Sequence, residues 1–420
     1  MGTTRRQFIK RSVGAVSVGL VMPHLFINTA SGQSATAANR KVLVIIEFSG
    51  GNDGLNTVIP YTDRNYYSWR PTIGLRDAEI ANTKISNELA LHPSMGKLKT
   101  LYDAGKVAVI TGVGYPNPNR SHFTSADIWH TANINEGRGI GWLGRYADVA
   151  LINQPGLAAV SIVDRLPKTF AATQKIIPNI PSFDGYGIKT DCNHEDNRQN
   201  IIDAFLAIHR RNQPANSFIE RAQKIGLDAV AGALDFQAQL DTYQSTIEYP
   251  DNNNLAQGLQ LIARIITTVP ESSLLYARIG GFDTHADQID GTNRLAGQHA
   301  GLLQDFSDAI KAFYDDMAEH GLANNVLMMQ WSEFGRRVNE NKSVGTDHGT
   351  MSCMFVIGGQ VQGGIYGRQP SLAGADLDDA GDPKFTLDFR SVYATILDKW
   401  LTSDSKGILN GQFENLGFLG

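Results

Sequence analysis

The densest run of reactive side chains is Gly280 to Gln288, where Asp283, His285 and Asp287 follow a glycine pair. Carboxylate oxygens and imidazole nitrogens are ordinary ligands of divalent ions, so the run reads as a metal-binding loop. A solvated loop with one capping aspartate is the plainer alternative. Asp347-His348, between Gly345 and Gly349, is the second candidate of this kind. Earlier in the chain, the run Ser332 to Arg337 holds Glu333 and a pair of guanidinium groups, Arg336 and Arg337. That pair could grip a phosphate or sulfate in fork geometry, although surface charge is the usual fate of two arginines.

Two further runs could contribute. In Ser49 to Asn56, glycines would let the backbone approach a ligand closely, and Asp53 could reach an ion. Asn-Asp-Gly is also a turn sequence in its own right. In Asn119 to Thr124, a hydroxyl at the first turn of a helix is most often a cap. The same position places Ser121 where helix N–H groups favour an anion, with Arg120 and His122 beside it. A nucleophile for phosphoryl or sulfuryl transfer would sit well there, and Ser121 is preferred to Thr124.

These runs need strands to hold them. Six apolar stretches without alternation read as buried parallel strands: Val42 to Phe48, Val107 to Gly112, Leu157 to Val163, Ser273 to Ile279, Val326 to Trp331 and Cys353 to Ile357. Helical spacing falls between them at Met95 to Ala104, Ser121 to Ala132 and Gln298 to His320. The alternation predicts an α/β fold with a doubly wound, mostly parallel sheet flanked by helices. Residues 197–267 read as a helical insertion, broken by the polar stretch Tyr249 to Asn254. In such sheets ligands bind beyond the carboxyl ends of the strands, where all five runs fall.

The N-terminus carries an address. Thr4-Arg5-Arg6-Gln7-Phe8-Ile9-Lys10 is a twin-arginine signal, followed by a short apolar stretch and a small-residue tail. The expected division is a signal and tail over residues 1–39 and one α/β domain over 40–420. The expected location is the periplasm or another extracytoplasmic space, reached through the twin-arginine export machinery. Gly14, Gly19 and Pro23 interrupt the apolar stretch, which argues against a stable membrane span. A formal net charge of −5 with no basic block beyond the signal excludes a nucleic-acid surface. Cys192 and Cys353 have no spacing that demands a bond and are expected as two free thiols.

Taken in order, residues 49–56, 119–123, 280–285, 332–336 and 347–349 resemble a bacterial family of twin-arginine-exported proteins grouped with the alkaline phosphatase/sulfatase superfamily. The resemblance spans the mature chain and implies an alkaline-phosphatase-like fold. It implies a divalent metal held by Asp53, Asp283, His285, Glu333, Asp347 and His348. Ser121 would be the nucleophile, and Arg120 or Arg336 would hold the oxyanion of a phosphate or sulfate ester. The chain departs from the superfamily pattern at Phe334, where a histidine is expected, and an aromatic ring cannot ligate a metal. The resemblance therefore allows a hydrolase with one or two ions, or a non-catalytic binding or assembly protein that keeps the fold.

Overall fold

The computed structural model describes residues 40–135, 137–154, 156–180, 200, 203–208, 223, 227 and 236–420. Its strands are β1 (Val42–Ser49), β2 (Val58–Ile59), β3 (Ala90–Leu91), β4 (Val107–Gly114), β5 (Ala159–Ser161), β6 (Leu274–Gly280), β7 (Val326–Ser332), β8 (Arg336–Glu340), β9 (Thr346–His348), β10 (Ser352–Gly358), β11 (Gly364–Gly367) and β12 (Leu387–Asp388). The helices that matter to the argument are α1 (Gly96–Asp103), α2 (His122–Thr131), α3 (Trp142–Ala150), α4 (Asn254–Thr268), α5 (Gln298–Glu319) and α6 (Phe389–Thr395).

Eight strands form one sheet in the order β11-β4-β10-β7-β1-β6-β5, with β12 also beside β4. Strand β1 runs parallel to β6 and β7, and β5 runs parallel to β6. The sheet is mostly parallel, as expected, with one exception. Strand β10 lies antiparallel to both β4 and β7, so Cys353 to Ile357 is a buried strand but not a parallel one. The physical reason lies in its connection. Between Ser332 and Ser352 the chain holds only the β8–β9 hairpin, and a parallel return needs a crossover element that this stretch lacks.

Side chains alternate across β1, which explains its unbroken apolar run. Val42, Val44, Ile46 and Phe48 face a core built with α1, α4 and α5, whereas Leu43 and Ile45 face a second core with α2, α3 and α6. Helices therefore cover both faces, and the strand ends are left to carry the polar runs. Phe48 stacks on Phe282 at 4.3 Å, which pins the loop after β6 over the end of β1.

Within the expected insertion, α4 begins at Asn253, whose side chain accepts from the Ala256 amide. Most of residues 181–235, including Cys192, His194 and His209, lie outside the described residues, as does the N-terminal signal. Cys353 is buried and free, and burial pushes its thiol up to about 12. Among the described residues no helix is long and apolar enough to cross a membrane.

Candidate metal centre

Loops after β1, β4, β6 and β7, with the β8–β9 hairpin, meet at one edge of the sheet. There His122, Asp283 and His348 bring ligand atoms within 4.8 Å of one another. His122 is the first residue of α2, Asp283 follows β6, and His348 ends β9. His285 abuts this group, with its Nε2 2.9 Å from His348 Nε2 and 3.1 Å from Asp283 Oδ1.

The tautomers follow from the partners. His348 Nδ1 lies 2.9 Å from the Arg120 carbonyl, which can only accept, so Nδ1 carries the proton and Nε2 keeps its lone pair. His122 Nδ1 lies 2.8 Å from Glu333 Oε1 and donates to it. Its Nε2 is buried without a hydrogen bond, 3.4 Å from Asp283 Oδ2. His285 Nδ1 faces Asp347 Oδ1 at 3.2 Å. All three imidazoles are thus held through Nδ1 and present Nε2 toward Asp283. Outer acceptors that fix a ring's tautomer in this way are the usual support of metal-ligating histidines.

This geometry fits a divalent ion. The buried, orphaned His122 Nε2 lacks a partner, and two bare nitrogens face each other at 2.9 Å, an arrangement that a cation relieves. The electrostatics agree. The Glu333 hydrogen bond raises the pKa of His122, and burial lowers that of His348. Burial alone would raise Asp283, but the Arg336 guanidinium that donates to it, with the charge of the neighbouring imidazoles, holds its carboxyl down to about 2.

The other expected site residues take different places. Glu333 is buried behind His122, where its carboxylate also accepts from the Gly50 amide and the Ser332 hydroxyl. Asp347 likewise stands behind His285 and accepts from Asn341. Asp53 is withdrawn from the centre. It is fully buried, paired with Arg70 Nη1 at 2.7 Å, and accepts from Gln288 Nε2 at 2.7 Å.

Neither arginine expected as an oxyanion clamp is free. Arg120 is paired with Asp382, its Nε 2.8 Å from the carboxylate. Arg336 is buried and donates to the carbonyls of Gly50, Gly51, Phe282 and Thr346, and to Asp283 Oδ1 at 2.8 Å. It joins three loops and orients Asp283. A guanidinium in fork geometry can serve backbone carbonyls as well as phosphates, and here it serves carbonyls.

The glycines serve a different approach from the one expected, and Phe334 is part of it. The Phe334 ring is buried against His122 and His348, with centroids 4.8 and 4.7 Å away. Gly50 (φ 120°) and Gly51 (φ 69°) allow protein to approach protein. A Cβ on Gly50 would lie 2.5 Å from the Asp283 amide, and one on Gly51 would lie 2.1 Å from the Phe334 ring. Ser121 caps α2 in position only, because its side chain makes no cap hydrogen bond and is exposed. Asp287 is exposed, with a left-handed backbone at φ 48°, and takes no part in the cluster.

Sequence reasoning noticed His122 only as company for Ser121. Its signal was present, because an imidazole one residue inside a helix start at a strand end is placed as a ligand must be. Asp316, Glu319 and His320 form a second close group, but apart from Asp316 Oδ1, which lies 3.1 Å from His320 Nδ1, their ligand atoms are engaged in hydrogen bonds. Both His320 nitrogens face backbone carbonyls, and Asp316 Oδ2 accepts from Tyr243 and Tyr249. That group fastens the chain before α4 to the end of α5.

Fold and site together define an α/β protein with a histidine–carboxylate centre at the carboxyl edge of its sheet. The family model described as "Protein of unknown function (DUF1501)" matches residues 198–410, and the chain belongs to that family. No curated protein matches it. Among solved structures it is similar to the PsFucS1 sulfatase from Pseudoalteromonas sp., at 11% identity and a TM-score of 0.35, covering 98% of this chain and 76% of that one. It is also similar to a protein in the alkaline phosphatase superfamily from Vibrio parahaemolyticus, at 9% identity and a TM-score of 0.34, covering 85% and 71%. A third is the alkaline phosphatase from the Antarctic bacterium TAB5, at 13% identity and a TM-score of 0.31, covering 78% and 95%. Scores this low leave the functional reading to the chain's own geometry.

Proposed function

We propose that this chain is an exported, metal-dependent hydrolase of phosphate or sulfate esters. The observation that carries the reading is the convergence of imidazole Nε2 atoms on Asp283, with His122 Nε2 buried and unpartnered. His122, Asp283 and His348 would hold one divalent ion, with His285 close enough to join them. Such an ion polarises an ester oxygen and offsets charge on the transferring group. The chain's own residues do the rest. Glu333, Asp347 and the Arg120 carbonyl keep the Nδ1 protons in place, and Arg336 holds Asp283 in line. Ser121, exposed beside His122 with no cap bond on its hydroxyl, is positioned to act as the nucleophile.

The donor set suits one ion rather than two. Of the other expected ligands, Asp53 is taken up by Arg70, Glu333 and Asp347 stand behind the histidines, and Phe334 offers no lone pair.

A direct test measures metal content and hydrolysis of aryl phosphate and aryl sulfate in the wild type and in Ser121→Ala. The expected result is about one equivalent of metal in both proteins, with turnover in the wild type alone. Equal turnover in both would remove Ser121 from the mechanism, and a folded, metal-free wild type would remove the hydrolase reading. One observation favours a second reading, a metal-holding binding or assembly protein: both expected oxyanion-gripping arginines are spent elsewhere. Metal without turnover on either ester would select it. For export, the double change of Arg5 and Arg6 to lysine should leave the precursor inside the cell. Unchanged export would exclude the twin-arginine route.

A further inference from the structure

Strand β5 ends at Ser161, opposite Tyr276, while its neighbour β6 continues to Gly280. Among the described residues, the last residues of β6 therefore have no strand partner on that side. Between this bare strand end and α4 lies a cleft of about 820 Å³, large enough for a small-molecule ligand. Among the described residues its floor is apolar, with Ile162, Leu255 and Ala277, and its polar rim includes Gln257 and Arg278. Gly280 also lines it, and Asp283 lies three positions further along the chain, a span of at most about 11 Å. The cleft and the metal centre are therefore within reach of one small molecule.

Arg278 is built unlike a surface arginine. It interrupts an otherwise buried stretch of β6, and its Nε is held 2.7 Å from Glu47 Oε2. Glu47 is itself buried on β1 and also accepts from the Tyr276 hydroxyl. The guanidinium is thereby anchored from behind. Among the described residues its Nε is the nitrogen that donates, to Glu47, and the group is about one-third exposed on the cleft. A stiffly held guanidinium facing a cleft is suited to a planar or tetrahedral oxyanion. Glu47 needs only the Nε contact, so the pair alone does not account for the rest of the fork.

We infer that Arg278 receives a second acid group of the substrate, so that the preferred ester carries a further sulfate, phosphate or carboxylate on its alcohol portion. The inference rests on the hydrolase reading above and adds the substrate class to it. Arg278 is then a specificity-determining residue outside the metal centre.

The test is equilibrium binding to the metal-loaded protein, with no turnover required. Benzenesulfonate is compared with benzene-1,3-disulfonate, 3-sulfobenzoate and 3-phosphonobenzenesulfonate, which separate the three sources of the second oxyanion. At least one doubly acidic probe should bind roughly tenfold or more tighter than the monosulfonate, as expected of a charge-assisted hydrogen-bonded pair. The gain should vanish in the double variant E47Q/R278Q, which removes the buried carboxylate with its partner and avoids an unpaired Glu47. Equal binding of all four probes by the wild type overturns the inference. So does a gain that persists in the folded double variant, or the absence of any sulfonate binding. The hydrolase reading is judged separately by ester turnover, so the two can fail independently.

Discussion

Two clusters built from the same residue types share the loop after β6, and only one of them leaves lone pairs open. Around Asp53, both carboxylate oxygens accept from Arg70 Nη1, and Oδ2 also accepts from Gln288, with no exposure to solvent. Around Asp283 the carboxylate is half-exposed, and Oδ2 faces a bare imidazole nitrogen. Both acids have depressed pKa values, both lie near histidines, and both contact an arginine. Both arginines also donate to backbone carbonyls, so the difference is how fully each carboxylate is occupied. Arg70 satisfies its aspartate and closes the site. Arg336 gives one bond to Asp283 and the rest to carbonyls, which steadies the acid without saturating it. Residue type alone therefore does not mark a metal ligand; an unspent lone pair does.

The comparison can be broken most severely from the closed side. Arg70→Ala leaves Asp53 buried without a cation, a change expected to cost about 3–5 kcal/mol. Denaturant unfolding measures that loss. Metal per folded molecule should stay unchanged, and a parallel loss of metal in the folded fraction would show that the clusters are one unit.

On the open side, His122→Ala should empty the centre in elemental analysis while the fold survives. Glu333→Gln removes only the acceptor behind the ring and should weaken metal affinity by about 10- to 100-fold. If the two variants hold metal equally well, His122 is not a ligand.

A further effect is on stability against pH. Burial leads the causes that lower His299 to about 4 and His92 to about 3, and both lie in the closed region. Their folded values are below the unfolded one near 6.5, so the unfolded chain binds more protons between these limits. The contribution to stability is full above pH 6.5 and is lost as pH falls toward 4. Each residue accounts for up to about 1.4 kcal/mol per pH unit. Unfolding titrations should show that slope, and His299→Gln should flatten it. An unchanged slope would mean that His299 does not carry it.

Much of the architecture was legible because burial on both faces leaves an unbroken apolar run. Val42 to Phe48, Ser273 to Ile279 and Val326 to Trp331 fall within a residue of β1, β6 and β7. Gln298 to His320 matches α5 at its start and runs one residue past its end. The strand expected over Leu157 to Val163 shrinks to β5, because Gly156–Ala158 forms a 3₁₀ turn ahead of it. The direction of β10 was not legible, since apolarity says nothing about polarity along a strand.

The loops at the strand ends were legible as polar, glycine-bearing runs that would meet. Local sequence placed Asp283, His285 and His348 in those loops, and their types sufficed to suggest a metal. Which neighbour would use up each lone pair depended on partners far away in the chain. Asp53 met Arg70 and Gln288, Arg120 met Asp382, and Glu333 came to stand behind His122. Sequence by itself determined the strand-and-helix order and the chemistry available at the sheet edge, because these follow from local patterns. Tertiary structure alone decided which donors remain open, because hydrogen bonds between distant segments form only when the loops are packed together.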